Sequence, residues 1–323
     1  GSVEARFPQR LGGGEAGHRL ERHEVGRRAD VKQKKKSKKW WILTPLLILL
    51  ALIVAAGIYV WSIVNNVQDT VNSQMHEKVE SIDQEKAEQK VKAKERINVL
   101  LLGVDQRAGD SGRSDAIIVM TLKPEKDEML MVSIPRDTRA LMVGKGTTEK
   151  INHAYAYGGP DMAINSVENL LGIEIDHFVR INMEGLQELV DAVGGVTVQN
   201  NLEWNDGTYE FTKGPVTMDG KKALAYVRMR KQDNRGDFGR ADRQRQVIEA
   251  IVKEGASVGN VTKVNDVLAI MGNNVGTSLQ FSDMNSLLTG YNGTIKNTED
   301  YLLQGTGTTI DGIYYYVVPD EEI

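Results

Sequence analysis

The chain has 323 residues, 40 Lys+Arg against 44 Asp+Glu, a net charge of −4 and no cysteine. The missing cysteine excludes thiol catalysis, Cys-based zinc sites and a disulfide scaffold. The small net charge conceals a segregation: residues 1–39 carry +7, the remaining 284 carry −11, and 25 uncharged residues between them exclude a simple soluble protein.

Residues 1–30 are Gly- and Arg-rich, start Gly-Ser and lack apolar periodicity, so they are expected to be disordered and in part an expression leader. Six lysines follow between Lys32 and Lys39, completing a basic tail over 1–39. Residues 40–64 are long enough to cross roughly 30 Å of hydrocarbon as a helix. Trp40, Trp41, Tyr59 and Trp61 stand near the ends, where amphipathic rings favour the interface, and Pro45 sits where a membrane helix tolerates it. Lysines on one side only predict a cytoplasmic N-terminus, with everything after Val64 outside. A cleavable signal peptide would have a shorter apolar region ending at a small-residue site, so the reading is a retained single-pass anchor. In the polar stretch after it, Val71, Met75, Val79 and Ile82 recur at spacings of three and four, which predicts a helical stalk over 65–95 able to self-associate.

From Ile97 the texture changes. Apolar runs at 97–103, 116–122 and 129–134 predict three buried strands in quick succession. Then come a helix over 159–171, a strand at 178–181, a helix over 183–193 stopped by Gly194-Gly195, helices over 242–253 and 282–291, and strands near 301–304 and 313–318. Strands interleaved with helices predict one α/β domain over 96–323, with a sheet covered on both faces in three α/β/α layers. The short links between the first three strands make that sheet mixed.

Asp105 ends the first strand and Asp115 begins the second. If those strands are neighbours, both carboxylates reach one edge of the sheet. There they suit a hard divalent cation that keeps waters and takes substrate phosphate oxygens. Asp beside Gly is equally a common turn residue. Arg136-Asp137 follows the third strand, where such a pair is most often a structural salt bridge. The strongest signal is residues 227–246, with seven basic and three acidic side chains, six of the bases being Arg. The guanidinium fork matches phosphate oxygens in bidentate fashion. Arg228 and Arg230, if extended, share one face; Arg240 and Gln244 share another near a helix start, with Arg243 alongside, and that helix N-terminus adds N–H donors. The alternative is a solvated basic surface. Nucleic acid is disfavoured, because Tyr226 and Phe238 are the stretch's only aromatics and it lies outside the membrane. Gly109-Asp-Ser-Gly112 looks like a serine-protease loop but has no suitably placed His. His153 and His177 lack zinc spacing and are read as structural.

In order and spacing, Leu101-Leu-Gly-Val-Asp105, Arg113-Ser-Asp115, Ser133-Ile-Pro-Arg-Asp-Thr138, Lys150-Ile-Asn-His-Ala-Tyr155, Gly194-Gly-Val196 and the Arg-rich stretch resemble the LytR–CpsA–Psr family of bacterial cell-envelope enzymes. The resemblance runs from Ile97 to the C-terminus. It implies a phosphotransferase that moves a polyprenyl-pyrophosphate-linked glycopolymer (wall teichoic acid, capsule or similar) onto peptidoglycan, releasing polyprenyl phosphate. It also implies an apolar pocket for the lipid and a Gram-positive cell envelope. Carried onto this chain, Asp105 and Asp115 would hold Mg2+ or Mn2+. Arg113, Arg136, Arg228, Arg230, Arg240 and Gln244 would line the pyrophosphate. Arg245 departs from the family, which often has a second glutamine there. Charge grows on the leaving phosphate during transfer, so catalysis rests on placement and charge stabilisation by Arg and metal; Asp105 is the first choice of base and Asp237 the second. A lipid-pyrophosphate hydrolase using the same groups with water, and a non-enzymatic membrane-anchored regulator or scaffold, are the rival readings.

Overall fold

Strand β1 (Ile97–Asp105) carries apolar residues at both parities, and this is why it ends up in the middle of a sheet covered on both sides. Leu100, Leu102 and Val104 face one way, into a cluster with Ile117 and Val119 of β2 (Arg113–Lys123) and Ala163, Ile164 and Val167 of α3 (His153–Leu171). Ile97, Val99 and Leu101 face the other way, toward Met129 and Met131 of β3 (Glu128–Ser133) and Ile248. Each such fully buried aliphatic side chain contributes roughly 1.5–3 kcal/mol.

The computed structural model describes residues 39–105, 112–257 and 274–323. The expectations for the basic tail over 1–38 and for most of the Gly109–Gly112 loop lie outside those residues. The chain divides into two units, Gly1–Val54 and Ala55–Ile323. Helix α1 (Lys39–Thr70) begins in the first, and the helical run Leu50–Met75, which continues through the turn after α1, is long and apolar enough to cross a membrane.

In the second unit, α2 (Gln84–Ala93) precedes β1. Strands β4 (Arg139–Met142) and β5 (Thr147–Lys150) form a hairpin before α3, and β6 (His177–Asn182) leads into α4 (Met183–Ala192). Next come β7 (Val196–Asn200), β8 (Trp204–Asn205), β9 (Glu210–Phe211), β10 (Gly214–Met218), α5 (Gly220–Arg228) and α6 (Asp237–Ser257). Strand β11 (Val275–Thr277), α7 (Phe281–Gly290), β12 (Asn297–Leu302) and the hairpin β13 (Thr306–Ile310) and β14 (Ile313–Val317) complete the order. The main sheet runs β11-β6-β1-β2-β3-β12. Strand β1 is antiparallel to β2 and parallel to β6, so the sheet is mixed, as the short links predict. Helix α3 covers one face, α6 and α7 the other.

Four expectations need correction. Helix α3 begins at His153 rather than 159 and is kinked at Gly158 and Gly159. The 65–95 stretch is no stalk. After a π-helical turn (Val71–Met75), His76 and Glu77 pair with Thr277, and Glu77 binds Arg180. Val71, Met75, Val79 and Ile82 are all buried in the domain, so the stripe that suggested self-association is part of the fold's own core. Helix α6 starts at Asp237, five residues before the expected 242, because Gly236 and Gly239 belong to its start and do not interrupt it. The short strands β7–β10, with Trp204, Phe211, Tyr226 and Val247 in a second core, were not foreseen.

Candidate functional site

At the end of β1 the ladder with β2 is broken by one residue. Gly103 pairs with Ala116 and Val104 with Ser114, so Asp115 is left without a partner across the strand. A bulge of this kind re-aims a side chain. Asp115 accepts a hydrogen bond from Arg136 Nη1 at 2.8 Å. Arg136 leaves β3 through Pro135, in a turn closed by Thr138 N–H donating to Pro135 O at 2.9 Å.

Arg136 Nε also lies 3.3 Å from Asp237 Oδ2 in the first turn of α6. The other oxygen, Asp237 Oδ1, lies 3.0 Å from Arg230 Nε and 3.2 Å from Arg240 Nη2. One carboxylate thus gathers three guanidiniums. Arg136 Nε and Asp237 Oδ1 are nevertheless buried without a hydrogen bond; the pairs are close enough to attract and too poorly aligned to bond. Behind them Lys150 Nζ takes up Asp137 at 2.8 Å.

The cluster holds more cation than it neutralises, three guanidiniums facing Asp115 and Asp237. Burial alone would lower the Arg136 pKa, but the hydrogen bond to Asp115 and the charges of Asp115, Asp237 and Asp137 hold it above the usual value. Arg240 goes the other way. Burial and the neighbouring positive charges of Arg136 and Arg230 pull it down, despite Asp237 and Asp115. A bound polyanion would relieve that crowding and supply the acceptors Arg136 Nε lacks.

Ala116 and Gln244 belong to two cavities at once. On one side they border the polar cleft of Asp115, Ser133, Arg136, Asp237 and Arg240. On the other they close an apolar cavity of about 210 Å3 between the sheet and helices α4 and α6, walled by Leu101, Met120, Val179, Leu186, Ile248 and Ile251. Gly103 keeps the junction narrow in bulk: a Cβ there would lie 2.9 Å from that of Ala116. An anion site that shares a wall with an apolar slot fits a head group with a hydrocarbon tail.

The predicted site residues therefore separate. Asp115, Arg136, Arg230, Arg240, Asp237 and Gln244 converge. Asp105 is half-buried and stands across the hairpin from the exposed Arg113. Arg228 does not join. It is the last residue of α5, so it shares no extended face with Arg230, and both line a separate outer cavity. Arg243 is not a surface group either: it is fully buried, donating to Asp233 Oδ2 and to Met229 O, each at 2.6 Å. Arg235 shares Asp233 and Asp242, and Arg245 takes Asp242 and Asp300. Much of the basic stretch is thus internally neutralised. Sequence reasoning missed Gly103 and Ala116 at the junction; their small size beside Asp105 and Asp115 was the available signal.

Among the described residues no three His, Asp or Glu are grouped to hold a metal ion. A Mg2+-like ion that keeps waters and binds substrate phosphates needs only one or two carboxylates. The bulge places Asp115, whose Oδ1 is held by Arg136, at the same hairpin end as Asp105, and two carboxylates there are the donors such an ion would use. His153 sits 3.2 Å from Glu149, and His177 is buried at the start of β6, where burial holds its pKa down at about 4.

A sequence profile of the LytR_cpsA_psr family matches residues 60–323. The polyisoprenyl-teichoic acid–peptidoglycan teichoic acid transferase TagU of Oceanobacillus iheyensis is 46% identical over 279 residues, 84% of this chain and 87% of that protein. The crystal structure of B. subtilis TagU is similar, with a TM-score of 0.58 and 42% identity over 70% of this chain and 91% of that one. So is a structure from Enterococcus faecalis described as a transcriptional regulator, with a TM-score of 0.65 and 40% identity over 72% and 85%.

Proposed function

The chain belongs to the LytR–CpsA–Psr family, and we propose that it is a phosphotransferase moving a teichoic-acid-type glycopolymer from a polyprenyl pyrophosphate carrier onto peptidoglycan. The observation that carries this reading is the wall shared by the arginine cluster and the apolar cavity. A pyrophosphate held by Arg136, Arg230 and Arg240 would place the start of its polyprenyl chain past Gln244 and Ala116, in the slot.

In the reaction, a peptidoglycan hydroxyl oxygen bonds to the phosphorus that bears the glycopolymer. The bridging P–O bond breaks, and its electron pair leaves on polyprenyl phosphate. Arg136, Arg230 and Arg240 stabilise the charge that grows on that leaving group, where low dielectric makes each interaction count for more than in water. Asp237 acts as counter-ion, aligning the three guanidiniums before substrate arrives. Protonating it would dissolve that alignment, so the hydroxyl proton goes to Asp105. Asp105 and Asp115 would also hold the Mg2+ or Mn2+ ion, which supplies further charge neutralisation at the phosphates when bound. Helix α1 anchors the protein in the membrane, and the lysines before it place the catalytic domain on the outer side.

The test uses the full chain in detergent with a polyprenyl-pyrophosphate-linked glycopolymer, peptidoglycan and Mg2+. Polyprenyl phosphate is expected to appear together with a sugar phosphodiester on peptidoglycan, and both are lost with EDTA. Release that is EDTA-sensitive but independent of peptidoglycan identifies a hydrolase. Release indifferent to both overturns the assignment.

A further inference from the structure

Beside the arginine cluster, and sharing Arg230 with it, lies an open cavity of about 600 Å3 between α5, the turn after it and strand β8. Trp204, Leu224 and Met229 form apolar wall, and Lys221, Arg228, Arg230 and Lys231 supply four cations. The only carboxylate lining it is Asp206, whose Oδ1 is occupied by the backbone N–H groups of Thr208 and Tyr209. Gln232 donates to Asn205 O at 2.7 Å, which ties the two sides together.

These cations are handled unlike their neighbours. Arg235, Arg243 and Arg245, a few residues on, are each held by Asp233, Asp242 or Asp300. Lys221, Arg228 and Lys231 are exposed and have no carboxylate within ion-pair distance among the described residues. A domain that is acidic overall thus leaves three unpaired cations, Lys221, Arg228 and Lys231, together in a concavity that continues the phosphate site through Arg230. Charges of one sign lining a low-dielectric cleft focus the field into it and concentrate the opposite charge.

We infer that this cavity is a second anion subsite, which takes the first phosphodiester repeats of the donor's glycopolymer while the arginine cluster holds its pyrophosphate. The inference rests on the transferase reading above and adds to it a preference among donors. The apolar slot takes the lipid side of the pyrophosphate, so the polymer must leave on another side, and Arg230 is common to the cluster and to this cavity. Arg228 is thereby moved from the pyrophosphate to the polymer. The same cations could also meet carboxylates of peptidoglycan stem peptides, and the experiment separates the two sources.

Kinetics are measured on the full chain with two donors, a polyprenyl-pyrophosphate disaccharide alone and the same molecule extended by polyol-phosphate repeats. For Lys221→Gln/Lys231→Gln the KM for the extended donor is expected to rise roughly tenfold, with kcat kept and the short donor unaffected. High salt should raise the wild type's KM for the extended donor more than for the short one. Arg228→Gln is expected to follow the lysines; loss of turnover on the short donor would return it to the pyrophosphate. Equal effects on both donors, or none, overturn the subsite. So does a lysine-variant defect that depends on whether the acceptor's carboxylates are free or amidated. A lipid-free polyol-phosphate chain should bind the wild type and not the lysine variant. If neither donor turns over, that binding supports the subsite while the transferase reading fails, and its absence overturns the subsite as well.

Discussion

Two arginine–aspartate networks lie within ten residues of each other and do opposite work. In the first, Arg243 is fully buried against Asp233, with Arg235 completing the carboxylate's coordination; both oxygens of Asp233 accept aligned hydrogen bonds, and only Arg243 Nε goes unbonded. In the second, Asp237 faces three guanidiniums it cannot bond properly, and burial together with the neighbouring Arg136 and Arg230 disfavours the charge on Arg240. The closed network resembles a buried ion pair that holds structure; the open one stores unspent cationic charge at a cleft. Amino-acid composition does not separate them. Charge balance and hydrogen-bond alignment do.

The sharpest way to break the contrast is Asp233→Asn. It strands a buried guanidinium and should cost about 3–5 kcal/mol of unfolding free energy, measured by urea denaturation of the full chain in detergent. A loss below about 1 kcal/mol would mean the closed network holds nothing together. Arg136→Ala should reverse the pattern. Its kcat/KM is expected to fall by about 2.7–4 kcal/mol in transition-state terms, with the denaturation midpoint near that of the wild type. Wild-type turnover would remove Arg136 from the phosphates.

Acid gives the finest discrimination. Burial alone would raise the Asp233 pKa, but hydrogen bonds from Arg235 and Arg243 outweigh it and hold the group at about 2. A carboxylate with a depressed folded-state pKa contributes stability above its unfolded value and loses it as pH falls through the folded one. The stability gap between wild type and Asp233→Asn should therefore stay constant from pH 7 to about 4. It should then shrink by about 2 kcal/mol toward pH 2. A gap already closed at pH 5 would contradict the pairing.

Apolar runs of both parities made the central strands legible, because a strand buried on both faces needs no alternation. Asp115, Arg136, Arg230, Arg240 and Gln244 were legible as chemistry, since Arg-rich composition in an acidic domain is an anomaly that demands an anion. What could not be read was pairing. Asp233 and Asp237 look alike in sequence, and only the fold shows that one closes on Arg243 while the other meets three cations. The buried roles of Val71 and Met75 were hidden because helical spacing marks an apolar face without showing what covers it. The helix expected over 242–253 starts earlier, at Asp237: Gly236 takes φ of 58° just before α6 and Gly239 lies in its first turn.

Gly239 earns its place by proximity to the closed network: a Cβ there would lie 1.8 Å from Asp233 Oδ2. The start of the helix that presents Asp237 and Arg240 is thus located by a carboxylate that belongs to the closed network. In a population of drifting sequences, an alanine at 239 would silence wall attachment while leaving every group in the cleft unchanged.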